Sequence, residues 1–236
     1  MRPRAAWIIG LLAASAIAGC AAADTPTTAS PAGGEGRVRY VALGDSYTIG
    51  TGVSEAERWP NQLAARIDEI ELTANLGVNG YTTADLIADQ LPRLDALRPE
   101  LVSLLIGVND VVQGVPDVNY AVNVAAILDD LLGRLGRDRI VCVATPDYTR
   151  TPRGADYGDP DLQSDRIVRI NAILREACDM RRITFVPDIF EISQRASDEP
   201  GLVAEDGLHP SGEQYRRWVE VIGPVVEDLL VASPHG

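Results

Sequence analysis

"ELVSLLIGVND" (residues 100–110) decides the fold. Its apolar run, Leu101 to Ile106, is broken only by Ser103 and stops at a Gly followed by turn-forming residues. A strand with one face in water alternates apolar and polar positions. A near-continuous run of this length instead marks a strand covered on both faces, as in a parallel sheet. "RIVCVATP" (139–146) has the same character. "RVRYVAL" (37–43), "IELTANLG" (70–77) and "ITFVPD" (183–188) read as three further strands. Between them lie segments with helical spacing: 59–70, 82–97, 117–135, 165–180 and 211–232. The second opens on Thr caps and is expected to bend or break at Pro92, and the last to kink at Pro224. Five strands alternating with five helices predict a three-layer α/β/α sandwich on a five-stranded parallel sheet. This domain should run from residue 37 to residue 232, with 233–236 as a disordered tail.

The chain has 236 residues and a formal charge of −13, and all 21 basic residues are Arg. A net-acidic surface repels phosphate backbones, so nucleic acid is not an expected partner. The first 19 residues fall outside the domain. "MRPR" is a basic start, and "AAWIIGLLAASAIAG" is apolar with small residues toward its end, the pattern of a secretory signal. Its end, "IAGC", resembles the bacterial lipobox. That resemblance implies that Cys20 becomes the lipidated N-terminus and anchors the protein to a membrane of the bacterial cell envelope, facing outside the cytoplasm. The other reading of these residues is an ordinary secreted protein. Residues 20–36 are rich in Ala, Thr, Pro and Gly and read as a flexible linker.

Ligands of open parallel sheets bind beyond the carboxyl ends of the strands. Four short stretches fall there: "LGDSYTIG" after the first strand, "NLGVNGYTT" after the second, "IGVND" after the third and "DGLHP" after the last. A serine hydroxyl needs a base to become a nucleophile, and His is the usual one. The chain has two histidines, and His235 is next to last. That leaves His209 as the base for Ser46, with Asp206, three residues before it, placed to orient the imidazole and stabilise its charge. The backbone N–H groups of Ser46 and Gly80 and the side-chain amide of Asn109 are the candidate donors to an oxyanion. Asp45 and Asp110 are expected to brace the loops. Singly, Ser46 could be a helix cap and Asn109 a turn former.

Taken together, "GDSYTIG", Gly80 in "NGYTT", "GVND" and "DGLHP" resemble the four blocks of the GDSL/SGNH hydrolases, in the family's order, across residues 37–232. The resemblance implies a flavodoxin-like fold with strand order 2-1-3-4-5 and ester hydrolysis through an acyl-enzyme at Ser46. Two positions depart from the pattern. Tyr47 stands where the family name has Leu, and Asn79 where Ser is common. Tyr47, Tyr81, Val108 and Leu208, within these blocks, are expected to contact substrate.

Other chemistries lack their parts. With one usable His and no C-x-x-C, no metal is expected. No G-x-G-x-x-G follows the first strand and no Lys exists for a phosphate loop, so no cofactor is expected. Cys142 and Cys178 read as two buried thiols rather than a disulfide. The polar segment 147–163 is expected over the active edge, as a pocket wall or lid, with Tyr148, Arg150, Arg153 and Tyr157 read more as a solvated loop than as contacts to a polar acyl carrier such as a sugar. The expected function is a serine esterase for carboxylic esters, with short acyl chains favoured and an acylated carbohydrate or lipid as the small-molecule partner. The alternatives are a lysophospholipase or thioesterase for longer chains, or a non-catalytic binding lipoprotein on the same fold.

Overall fold

A computed structural model describes residues 36–232. The signal segment 1–19, Cys20, the linker up to residue 35 and the tail 233–236 lie outside the described residues. Five strands form one parallel sheet: β1 (Val38–Gly44), β2 (Ile70–Asn75), β3 (Leu101–Leu105), β4 (Ile140–Val143) and β5 (Thr184–Val186). Their order is β2-β1-β3-β4-β5. In β3 and β4 every residue is buried, and in β1 all but Arg39, whereas the edge strands β2 and β5 are mostly half-exposed. This is the burial that the continuous apolar runs require.

The chain leaves β1 for β2 on one side and then crosses to β3 on the other. The carboxyl ends of β1 and β3 therefore flank the point where winding reverses, and a crevice opens there. The helices are α1 (Ser46–Ile49), α2 (Trp59–Arg66), α3 (Thr83–Asp85), α4 (Leu91–Leu97), α5 (Val108–Val112), α6 (Asp117–Arg134), α7 (Pro160–Arg181), α8 (Ile189–Gln194) and α9 (Gly212–Ala232). They cover the sheet, with α2 packed on α9 and α6 on α7. Among the described residues no helix is long and apolar enough to cross a membrane.

The elements depart from the sequence expectation in several places, and α2 ends at Arg66 rather than at residue 70. The helix expected at 165–180 starts at Pro160: Asp159 caps it by accepting from the N–H groups of Asp161 and Leu162, and Pro at the first position has no N–H to lose. The segment before it is correspondingly shorter. The break near Pro92 is a π-helical turn, Leu86–Gln90, placed just before the residue that cannot donate to the preceding turn. Three short helices, α1, α5 and α8, were not anticipated. The last helix runs unbroken through Pro224. Cys142 and Cys178 are both buried free thiols.

Candidate active site

Ser46 is the first residue of α1, at the tip of β1. The capping role open to a serine here is taken by Asp45, whose Oδ1 accepts from the Tyr47 N–H at 2.9 Å. Burial pushes the Asp45 carboxyl up to about 7; the Tyr47 N–H opposes this, and the charge of Asp110 adds to it. Gly44, at φ 155°, makes the sharp exit from the strand, and the buried Gln90 side chain clamps it. The Gly44 N–H donates to Gln90 Oε1 (3.0 Å), and Gln90 Nε2 donates back to the Gly44 carbonyl (2.7 Å). As the first N–H of a helix, that of Ser46 has no intrahelical carbonyl to meet.

His209 and Asp206 share a turn closed by the Ala204 N–H donating to the His209 carbonyl (2.8 Å). Gly207 supplies the left-handed residue, φ 73°. His209 Nδ1 lies 2.6 Å from Asp206 Oδ2, while the N–H groups of Leu208 and His209 donate to Asp206 Oδ1 at 2.9 and 3.0 Å. Burial alone would raise the Asp206 carboxyl; these hydrogen bonds outweigh it and hold the group below its ordinary value. The carboxylate therefore stays ionised and fixes the tautomer in which Nδ1 carries the proton and Nε2 is free to accept one. Tyr47 packs its ring 5.3 Å from the imidazole.

Asn109 stands on α5, at the tip of β3. Its Nδ2 donates to the Tyr81 carbonyl at 2.9 Å, which leaves the second N–H of the same amide unspent. The next residue, Asp110, is buried and accepts from the Thr83 N–H (2.9 Å) and Oγ1–H (2.6 Å), tying α5 to α3. Gly80, at φ 81°, is exposed, and its N–H has no partner among the described residues.

These pieces meet in a cavity of about 240 Å³ lined by Ser46, Tyr47, Gly80, Val108, Asn109, Leu208 and His209, joined by Asn79, Val112, Tyr148 and Tyr157. The residues gathered here thus carry a hydroxyl, an imidazole backed by a carboxylate, and three N–H groups without a partner among the described residues. Ser46 Oγ makes no hydrogen bond among the described residues, to His209 included.

Tyr81 does not line the cavity. Its hydroxyl donates to Asp89 at 3.2 Å, and only its backbone serves the site. Segment 147–163 supplies part of the cavity wall, as expected, but its reading as solvated needs correction at two residues. Tyr148 is buried, and Tyr157 packs edge-on against it at 5.9 Å; together they wall the cavity. The segment is pinned at both ends. Asp147 accepts from Ser164 and Thr149, and the Arg153 N–H donates to the Gly207 carbonyl at 3.0 Å, joining it to the Asp206–His209 turn. Val112 was missed, although its four-residue spacing from Val108 puts both on one helix face.

A scan against protein families matches residues 42–217 to the GDSL-like Lipase/Acylhydrolase family. No curated protein matches the chain. Among solved structures, the lipase/acylhydrolase from Enterococcus faecalis is 19% identical, with a TM-score of 0.65 over 81% of this chain and 96% of its own. A member of the lipolytic protein G-D-S-L family from Veillonella parvula is 16% identical, with a TM-score of 0.64 over 83% and 99%. Axe2, an acetylxylan esterase from Geobacillus stearothermophilus, is 16% identical, with a TM-score of 0.61 over 80% and 94%. At these identities the likeness is one of fold.

Proposed function

The chain belongs to the GDSL-like lipase/acylhydrolase family, and from that premise we propose that it is a serine esterase that cleaves short-chain carboxylic esters through an acyl-enzyme at Ser46. The observation that carries this reading is the convergence of Ser46, the Asp206–His209 pair and the donors of Ser46, Gly80 and Asn109 on one small cavity. In this mechanism Ser46 Oγ attacks the ester carbonyl as His209 Nε2 takes its proton. Asp206 stabilises the imidazolium. The carbonyl oxygen, now negative, meets the three N–H donors. The imidazolium then protonates the leaving alcohol, and a water activated by the same nitrogen releases the acid.

The volume of the cavity supports a short acyl group: pockets that enclose drug-sized ligands run to about 300–1,000 Å³, and this one is about 240 Å³. Its apolar side is Val108, Val112, Leu208 and the paired rings of Tyr148 and Tyr157. Burial pushes the Tyr148 phenol up to about 12, so that wall stays uncharged. An acylated carbohydrate fits the polar rim at Asn79 and Gly80, as acetylated xylan is the substrate by which Axe2 is named. The same reading keeps the enzyme outside the cytoplasm, held by lipid on Cys20.

The test is hydrolysis of p-nitrophenyl acetate, butyrate and octanoate by the purified protein and by Ser46→Ala. The Ser46→Ala enzyme should lose at least about 10³-fold in kcat, and with the wild type the acetate and butyrate should outpace the octanoate. Equal rates for the two proteins, together with no labelling of Ser46 by a fluorophosphonate, would overturn the mechanism.

A further inference from the structure

We infer that Gln113 is a positioning residue of the oxyanion hole: its carboxamide holds the Gly80–Tyr81 peptide and so restricts the ψ of Gly80, which sets how the preceding peptide, the one carrying the Gly80 N–H, is presented to the cavity. This rests on the esterase reading. Gly80 is exposed, and a Cβ built on it would meet nothing within 4 Å, so packing does not hold it. A glycine so placed can wander through much of its backbone space, and its N–H would wander with it. The local backbone tie is long, 3.3 Å from the Tyr81 N–H to the Val78 carbonyl. Two side-chain amides do the rest. Asn109 Nδ2 donates to the Tyr81 carbonyl at 2.9 Å, and Gln113 Nε2 donates to the Gly80 carbonyl at 3.1 Å. Successive carbonyls are thus gripped by amides that sit one helical turn apart.

That platform is itself rigid. The Gln113 N–H closes α5 on the Asn109 carbonyl at 2.9 Å. From α7, Arg166 donates to the carbonyls of Val111 (2.9 Å) and Val115 (2.6 Å). Asn109 must also offer its free N–H to the oxyanion, whereas Gln113 has no task in the cavity and does not line it. Its bond to Gly80 lies on the exposed side, so its loss should disturb alignment more than stability.

The experiment measures kcat and KM on p-nitrophenyl acetate, with thermal midpoints, for the full protein and for Gln113→Ala and Gln113→Glu. Gln113→Ala should lower kcat about tenfold, with KM within about twofold and the midpoint unchanged, because a misaligned donor is missed in the transition state alone. Gln113→Glu keeps the shape but has a donor only when protonated. Its activity relative to wild type should rise as pH falls from about 8 to about 5, while the Ala ratio stays flat. Taking ratios to wild type cancels the dependence on His209. A kcat equal to wild type in both variants, a loss confined to KM, or parallel pH ratios would overturn the role of Gln113. Those failures are distinct from failure of the esterase reading, in which the wild type itself neither turns over nor takes a phosphonate at Ser46, and the inference falls with it.

Discussion

A Cβ added to Gly44 would lie 2.2 Å from the Leu105 carbonyl oxygen and 2.2 Å from Thr48 Oγ1, whereas one added to Gly80 would meet nothing within 4 Å. Both glycines have positive φ, and they stand at or beside the two backbone N–H groups proposed as donors, those of Ser46 and Gly80. The Ser46 corner is fixed by shape. β1, β3 and α1 are packed against it, and Gln90 clamps both polar groups of the glycine. The Gly80 corner stands at the surface and is fixed by hydrogen bonds from α5. One donor is therefore inseparable from the fold, while the other is adjusted separately from it. Substitutions at the two corners should fail differently: the first in stability, the second in turnover.

Gly44→Ala offers the hardest test of that contrast. Backbone would have to move to admit the methyl, so a loss above about 4 kcal/mol is expected, seen as failure to accumulate folded protein or as a collapsed denaturant midpoint. Asn109→Ala should come next, lowering kcat about 10²–10³-fold while far-ultraviolet circular dichroism and the midpoint barely change. A loss of Asn109 that acted through unfolding would erase the distinction between the corners. Gly80→Ala should cost only about 1–2 kcal/mol, the strain of a left-handed alanine, and its denaturant curve should keep the wild-type slope. If Gly44→Ala and Gly80→Ala destabilise equally, packing does not separate the two sites.

The smallest effect concerns Asp45, behind the packed corner. Burial lifts its carboxyl from 3.8 to about 7 on folding, so the folded state holds the proton more tightly. Stability from this group is full below the unfolded value and is lost as pH rises through about 7. Asp45→Asn keeps Oδ1 to accept from the Tyr47 N–H and removes the titration. Its denaturant midpoint should decline less than that of the wild type between about pH 4 and 7, and parallel curves would show that Asp45 does not titrate there.

Legibility in the sequence followed the range of the interaction. The strands at 101–105 and 140–143 announce themselves because burial on both faces demands apolar residues at every position. The Asp206–His209 turn is legible because its partners are three residues apart and Gly207 marks the bend. Three carboxamides that tie down distant backbone were not legible. Gln90 grips Gly44 46 positions away, Gln113 grips Gly80 33 positions away, and Asn171 bonds both the N–H and the carbonyl of Thr145, 26 positions away. Each bonds to backbone, which every residue carries, so the partner leaves no mark in the sequence. The start of α7 was misplaced because the run "GDP" reads as loop until Asp159 is seen capping the helix.

By itself, the sequence determined the parallel α/β architecture and the order in which Ser46, Gly80, Asn109, Asp206 and His209 arrive at strand ends, because periodicity, turn chemistry and residue inventory are local properties of the chain. Tertiary structure alone decided which of those residues face the cavity. It turned the Tyr81 ring toward Asp89, chose Tyr148 and Tyr157 as the residues of segment 147–163 that wall the cavity, and tied the Gly80 carbonyl to Gln113. Those outcomes depend on contacts across tens of residues, and no local pattern carries the position of a partner that exists only once the sheet has formed.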